Sequence, residues 1–427
     1  MHVVYFVQYF NLPDEPGGSR PYQLARALVD AGHRVTLVTG AVNHKTLTVP
    51  ERYRRRLFVT EEIDGIRVVR CWSYAGIRGS FRKRLLNFVS FALTASLGGV
   101  LRARRPDVVY ASSTPLTVGV PGWLTATLRR RPFVFELRDL WPESAVVAGV
   151  LDERAPATRL ASRLARFLYR RAALLVGVTR GICDGLVAAG VPRERVLFVP
   201  NGVDDWMVAA GDPPPPAPRE RFVVIYCGAH GRWNGLDQVL DAAAILERRG
   251  ASVAFEFVGD GDERAALEER ARREGLRHVR FHGAVPKREA FDRLRAADAS
   301  IVVTWDHPFQ RMVLANKIFD YLAAGRPVVV GAHGEMADLV REAGAGPVVP
   351  PGRPDLLAEA IERLAARPVT ERDALGRAGR AYILSHYQRR DLADRLAAAL
   401  GRVAAGQSAA VSGDPAGDAP TPGKARG

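Results

Sequence analysis

Lys317 and Asp320 stand three residues apart in Ala315-Asn316-Lys317-Ile318-Phe319-Asp320, a segment that ends at Gly325-Arg326-Pro327. The pattern predicts a helix over 315–325, stopped by the glycine, with the proline opening a strand. A lysine in the first turn opposes the helix dipole unless an anion sits there. Spacing of i, i+3 puts Asp320 on the same face. The pair suits a diphosphate at the helix start and a ribose hydroxyl on the carboxylate. A solvated Lys–Asp pair is the plainer alternative.

Three further groups have chemistry in reach. Gly17-Gly18-Ser19-Arg20 precedes a helix expected to open at Pro21. Its glycines allow close backbone approach, and the helix start offers free N–H groups to a phosphate, although a Gly-Gly pair also makes an ordinary turn. Arg138 and Asp139 follow the strand-like Phe133–Leu137, where polar groups would meet a donor sugar or an acceptor unless they pair locally. Gly259-Asp260-Gly261 and His282-Gly283 follow two more strand-like runs and suit a nucleotide read by backbone groups.

The elements that must carry these residues alternate. Strand-like runs at 3–10, 33–39, 107–112, 132–137, 174–178 and 196–199 are separated by helical patterns, and alternation resumes at 222–227, 254–258, 279–281, 299–304 and 327–330. Such alternation predicts parallel sheets covered on both faces. Between the two series, Pro200-Asn201-Gly202-Val203-Asp204 and a polyproline run at 213–218 read as a linker. The expected organisation is therefore α/β: a Rossmann-like domain over 1–199, a linker over 200–221, and a second Rossmann-like domain over 222–385. A last helix over 386–404 packs back on the first domain, and a disordered tail runs over 405–427. Ligands of two such sheets are expected in the cleft between them, at the strands' C-terminal ends.

Composition suits a folded protein, at 47% hydrophobic and 25% charged residues. Cys71, Cys183 and Cys227 have no pairing or metal spacing and read as buried hydrophobes in a reduced compartment. The N-terminus reads as a strand rather than a signal peptide, so a cytoplasmic location is expected. The net charge of +15 is uneven: residues 1–200 hold 30 Lys+Arg against 15 Asp+Glu, while 201–427 hold 31 of each. A basic first half implies a polyanion, and an anionic membrane surface is favoured over nucleic acid because no basic motif interleaved with aromatics appears. The apolar run 85–101 lies between Arg82-Lys83-Arg84 and Arg102, Arg104, Arg105. It is either a surface-docked helix or a core helix with solvated basic ends, and is short and interrupted for a span.

With these residues in view, the chain resembles the retaining nucleotide-sugar glycosyltransferases of family four, which have the GT-B fold of two facing Rossmann-like domains. The resemblance covers about residues 1–403. It rests on 200–204, on Val258-Gly259-Asp260-Gly261, on Ala323-Ala324-Gly325-Arg326-Pro327-Val328 and on Glu342-Ala343-Gly344-Ala345-Gly346. Ser112-Ser113, the stretch from Phe133 to Glu143 and Asn316-Lys317 are similar to the WbuB branch, associated with transfer of N-acetyl-L-fucosamine in bacterial surface polysaccharide synthesis. The resemblance implies a UDP-linked donor, a glycan or lipid-linked acceptor, no metal, no cofactor and no nucleic acid, at the inner face of the cell membrane. It implies donor contacts at Gly17, Gly18, Ser19, Asn234, Gly259, Asp260, His282 and Asn316, acceptor contacts at Ser112, Ser113 and Thr114, and chemistry at Arg138, Asp139, Lys317 and Asp320.

Departures narrow this reading. The family's paired glutamates fall on Met312 and Asp320, its usual Arg and Lys on Ala229 and Asn234, and its crevice His on Arg138. Neutralising phosphate then falls to Lys317, Arg232 and Arg311. Three rivals stay open. A UDP-sugar 2-epimerase shares the fold but expects crevice carboxylates. A nicotinamide oxidoreductase needs a Gly-x-Gly-x-x-Gly that is absent. A non-catalytic sugar-nucleotide or membrane-binding module would lack Lys317 or Asp320.

Overall fold

Apolar runs of four to six residues become strands here because both faces of each sheet are covered. The computed structural model describes residues 1–13, 15, 19–43, 48–75, 81–147, 149, 151–215 and 219–407. The chain divides into two units, Met1–Pro200 with the chain from Arg390 onward, and Asn201–Arg389.

The first unit contains β1 (His2–Val7), β2 (Arg34–Gly40), β3 (Phe58–Ile63), β4 (Ile66–Cys71), β5 (Val108–Ser112), β6 (Phe133–Leu137), β7 (Leu174–Gly177) and β8 (Val196–Phe198). They form one sheet in the order β3-β4-β2-β1-β5-β6-β7-β8. All neighbours are parallel except β3 and β4. That hairpin was not expected from the alternation, yet its signal is present: Asp64-Gly65 both take positive φ, the conformation of a tight two-residue hairpin turn.

Helices Arg20–Asp30 and Arg389–Ala404 cover one face of this sheet, packing Leu24, Leu28, Leu396 and Leu400 against Tyr5, Leu37 and Tyr110. The final helix begins at Arg389; His386, expected to open it, ends the preceding helix Val369–His386. Helices Phe81–Arg102, Gly119–Arg129 and Pro156–Arg171 cover the other face through Phe91, Ala95, Ala126, Ala165 and Leu168. A Cβ at Gly99 would lie 2.4 Å from Phe6, so the Gly98-Gly99 pair lets the first of these helices sit close on β1.

That helix has a core face and an exposed apolar face. Its inner face is core: Asn87 accepts from Gln8 at 2.6 Å and donates to the Tyr74 carbonyl at 2.6 Å. Its outer face exposes Leu85, Val89, Leu93, Leu97 and Leu101, one residue per turn, with Leu93 69% accessible. By length and composition alone it could cross a membrane, as a single helix among the described residues.

The second unit contains β9 (Phe222–Cys227), β10 (Val253–Val258), β11 (Val279–Gly283), β12 (Ala299–Val303), β13 (Val328–Gly331) and β14 (Val348–Val349). The order β11-β10-β9-β12-β13-β14 is all parallel, the doubly wound arrangement with its switch point between β9 and β12. The expected linker is largely part of this unit. Val203 pairs with Gln388, Asp205–Ala209 is helical, and Val203 and Met207 are buried in the core. Their side chains are apolar at positions where the helices after β11 and β12 leave space, so burial outweighs the turn-like sequence. Of the expected tail, 405–407 follow the last helix, and 408–427 lie outside the described residues.

Candidate functional site

In the first unit the polar residues gather at the C-terminal ends of β5 and β6 around Glu136, which is fully buried. Arg20 donates to it at 2.7 Å, Tyr110 at 2.6 Å and Ser112 at 2.5 Å. Burial pushes the Glu136 carboxyl up, but Arg20 and these donors hold it below its ordinary value. Arg20 also donates to the carbonyls of Val199, at 2.8 Å, and Pro200, at 2.7 Å. Arg20 therefore joins a helix start, β6 and the end of β8 in one buried node. Sequence reasoning passed over Arg20, whose signal was a charged residue directly before the helix proline.

Ser112, expected to meet the acceptor, belongs to this node. Its side chain is buried and its hydroxyl is spent on Glu136. Ser113 is also buried, and its hydroxyl accepts from the Arg138 amide at 3.1 Å. Thr114 donates to Asp139 at 3.2 Å. Asp139 is raised by burial, opposed by the neighbouring Arg138 charge. Among the described residues the Arg138 guanidinium has no carboxylate within ion-pair distance, so the local Arg138–Asp139 pair does not form. Ser19 precedes the helix, which opens at Arg20 rather than Pro21; its hydroxyl accepts from Gln23 at 3.1 Å and does not cap the helix. Gly17 and Gly18 lie outside the described residues.

In the second unit the loop after β9 lies on the loop after β10. The Gly228 amide donates to Val258, Gly259 donates to Gly283 at 2.7 Å, and His230 donates to Asp260 at 2.9 Å. Gly259 has φ +139°, and a Cβ there would lie 1.8 Å from the Gly228 carbonyl oxygen. The Gly259 position is thus needed for chain crossing, whatever it does toward a ligand. Gly259→Ala is expected to destabilise this unit by about 2–4 kcal/mol, measured by urea unfolding of the full chain. An unchanged unfolding midpoint would contradict it.

Lys317 is the second residue of helix Asn316–Ala323. Its ammonium donates to the Tyr226 hydroxyl and to Asn234 Oδ1, and stands 4.4 Å from the Tyr226 ring centre. Asn234 in turn donates to the Ala229 carbonyl at 2.9 Å. Burial pulls the Lys317 ammonium down to about 7. The helix start has no side-chain cap and no acidic residue in its first turn, so its free N–H groups and Lys317 face the same way electrostatically: both favour an anion. At the other end Arg380 donates to the Ala323 carbonyl, satisfying the C-terminus. Next to Lys317, the fully buried His230 ring is enclosed by Tyr226, Phe257 and Phe281, and burial lowers it to about 4. Tyr226 and His230 were not foreseen, because their proximity to Lys317 depends on the pairing of β9 with β10 and β12.

Asp320 does not pair with Lys317. Its carboxylate lies 3.5 Å from Lys287, which also holds Asp204 at 2.8 Å, while Arg389 holds Asp204 at 2.9 Å. Burial raises the Asp320 carboxyl, and Lys287 opposes this. The plain Lys–Asp pair is therefore replaced by two separate sets of contacts. Arg232, Arg311 and Asn316 are exposed; Arg232 stands 5.7 Å from the Trp305 ring centre. Asp260 accepts from the Gly261 amide at 2.9 Å. His282 lies within β11 rather than after it, 3.5 Å from Glu256 on the adjacent strand. Alternation along these strands puts Glu256 and His282 opposite the Phe257 and Phe281 face.

Residues 17–202 match the glycosyl transferase 4-like domain family, and residues 221–367 match the glycosyl transferases group 1 family. The probable glycosyltransferase WbjE of Pseudomonas aeruginosa is 28% identical over 278 residues, covering 62% of this chain and 67% of that protein. The putative colanic acid biosynthesis glycosyl transferase WcaI of Escherichia coli K12 is 26% identical over 348 residues, covering 78% of this chain and 83% of the relative. Anabaena Alr3699/HepE, solved in complex with UDP, superposes with a TM-score of 0.67 at 19% identity, over 94% of this chain and all of that one. The chain belongs to the family-four glycosyltransferases and has their GT-B fold.

Proposed function

We propose that the chain transfers a sugar from a UDP-linked donor, with retention and without a metal, to a lipid-linked or other glycan acceptor in surface polysaccharide synthesis. The observation that carries this is Lys317: a half-buried ammonium beside uncapped helix N–H groups, held by Tyr226 and Asn234. Such an arrangement neutralises the diphosphate as it departs. Retention requires attack on the face the diphosphate leaves, and a phosphate oxygen can then take the acceptor's proton. The complex of a structural neighbour with UDP supports the choice of nucleotide. Attachment to the inner face of the cell membrane is peripheral in this reading, through the basic first unit and its exposed leucine ridge.

Proton linkage tests the diphosphate contact. UDP binds the charged lysine, so its affinity is constant below about 7 and falls as pH rises through and above that value, by up to about tenfold per unit. Calorimetry between about pH 7 and 9 should show this slope in the wild type and lose it in Lys317→Ala. A flat wild-type profile removes Lys317 from the diphosphate.

The donor sugar is read as a 6-deoxy-N-acetylhexose, N-acetylfucosamine before UDP-glucose or GDP-mannose, in keeping with a WbuB-like branch. The support is Arg138, where the wider family places a histidine understood to reach the C6 hydroxyl. A 6-deoxy sugar would leave that histidine unpaired at a cost of about 1–3 kcal/mol, whereas an arginine reaches past C6 to an acetamido oxygen or a phosphate. Among the described residues the Arg138 guanidinium forms no close ion pair with Asp139 or Glu136, although its charge is felt at Asp139. Competition between UDP-N-acetylglucosamine and its 6-deoxy analogue should favour the latter by about tenfold or more in the wild type and lose that bias in Arg138→His. Equal use by both proteins would refute the argument from C6.

A further inference from the structure

Helix Pro156–Arg171 carries a cleft of about 500 Å³ lined by Arg163, Arg166, Phe167, Arg170 and Arg171. The four guanidinium groups, with Phe167 among them, converge because i, i+3, i+4, i+7 and i+8 share one helix face. Among the described residues none is paired with a carboxylate. Their polar contacts within the unit are slight: Arg166 donates to the Ser162 carbonyl at 3.4 Å, and Arg171 stands 5.5 Å from the Phe167 ring centre. Arg270 alone meets Asp237, Asp241 and Glu274.

The cleft sits on a distinctive side of the first unit. Residues 81–105, 119–131 and 156–171, the three helices of that sheet face with their following residues, hold 14 Lys+Arg and no Asp or Glu. The same helices expose Leu93, Leu97, Leu101, Leu128 and Leu160. The helices on the opposite face, Arg20–Asp30 and Arg389–Ala404, mix acidic with basic residues and expose no large hydrophobic side chain among those described. A solvated face needs neither the exclusion of acids nor the exposed leucines. A soluble anion would account for the arginines but not for Leu160 one turn from them.

We propose that this cleft binds the phosphate of an anionic phospholipid head group, with Leu160 and the leucine ridge against the acyl region. The site rests on the reading that the first unit attaches to a membrane, and adds to it a defined phosphate position on a helix apart from the ridge.

The test is sedimentation of the full chain with vesicles of phosphatidylcholine, with or without about 20 mol% phosphatidylglycerol, in about 0.1 M salt. Arg163→Gln/Arg166→Gln/Arg170→Gln should lower partition onto the anionic vesicles by about 100-fold. Arg56→Gln/Arg272→Gln/Arg363→Gln removes the same charge at scattered exposed positions and should lower it by less than about fivefold. Circular dichroism melting should match the wild type in both variants, since every substituted residue is exposed. Equal losses in the two variants, or none in the first, overturn the cleft and leave the membrane reading standing. A wild type that ignores anionic vesicles overturns both. Pyrophosphate binding by calorimetry that the cleft variant abolishes, together with vesicle partition that it leaves unchanged, assigns the cleft to a soluble anion and overturns the lipid.

Discussion

Lys317→Ala is expected to lower kcat/KM by at least about 100-fold, the usual loss when one preorganised electrostatic contact is removed from a site that stabilises developing charge. The lysine has two neutral partners, Tyr226 and Asn234, and no carboxylate. Its charge is therefore left uncompensated inside the protein, which is why burial draws the ammonium down to about 7. A diphosphate supplies the missing counter-charge, and more fully as negative charge accumulates on the leaving group. The loss should accordingly fall on kcat more than on KM. Steady-state kinetics on a nucleotide-sugar panel checks this, with Lys317→Arg as the control that keeps charge while changing its geometry. Thermal melting of Lys317→Ala should not fall, because truncation removes a desolvated cation rather than a packed apolar group. Wild-type turnover in a folded Lys317→Ala protein would remove the residue from the site.

Arg20→Ala is expected to destabilise the first unit by about 3–5 kcal/mol, since it leaves the fully buried Glu136 without its counter-charge. The Tyr110 and Ser112 hydroxyls remain but supply no positive charge, and the Val199 and Pro200 carbonyls lose their donor as well. Denaturant unfolding of the wild type, Arg20→Met, Glu136→Leu and Arg20→Met/Glu136→Leu measures the coupling. The double variant should recover much of the loss, because an apolar pair leaves no orphaned charge. The pH dependence has a definite sign. Glu136 is held below its ordinary value, so its contribution is present above the unfolded-state carboxylate range near 4 and fades as pH falls through its lower folded value. If Arg20→Ala unfolds at the wild-type denaturant concentration, the node does not stabilise the unit.

Much of this was legible in the chain. Apolar runs at strand length, separated by helical patterns, state which faces are buried, and that repeats over distances of two to four residues. So the parallel sheets, the basic first half and the lysine at a helix start could all be read in order along the sequence. The Asp64-Gly65 hairpin was equally local and was overlooked among stronger helix signals.

Pairings across the chain were not legible, because strand order rather than spacing brings the partners together. Glu136 meets Arg20 across 116 residues, since the first helix starts after β1 and the strand order sets β6 only two strands from β1, across β5. Nothing local to Ser112 distinguishes a hydroxyl facing a substrate from one spent on that carboxylate. Asp320 was expected to share a ligand with Lys317, yet Lys287 and Asp204, from other elements of the fold, set its surroundings. The run 85–101 shows the same division. Its composition fixed an apolar helix with basic ends, but packing chose Asn87, Phe91 and Ala95 for the core and left one leucine ridge outside. An apolar stripe wider than the groove beneath it cannot be wholly buried, and the depth of that groove is set by β1, by Gly99 and by the neighbouring helix.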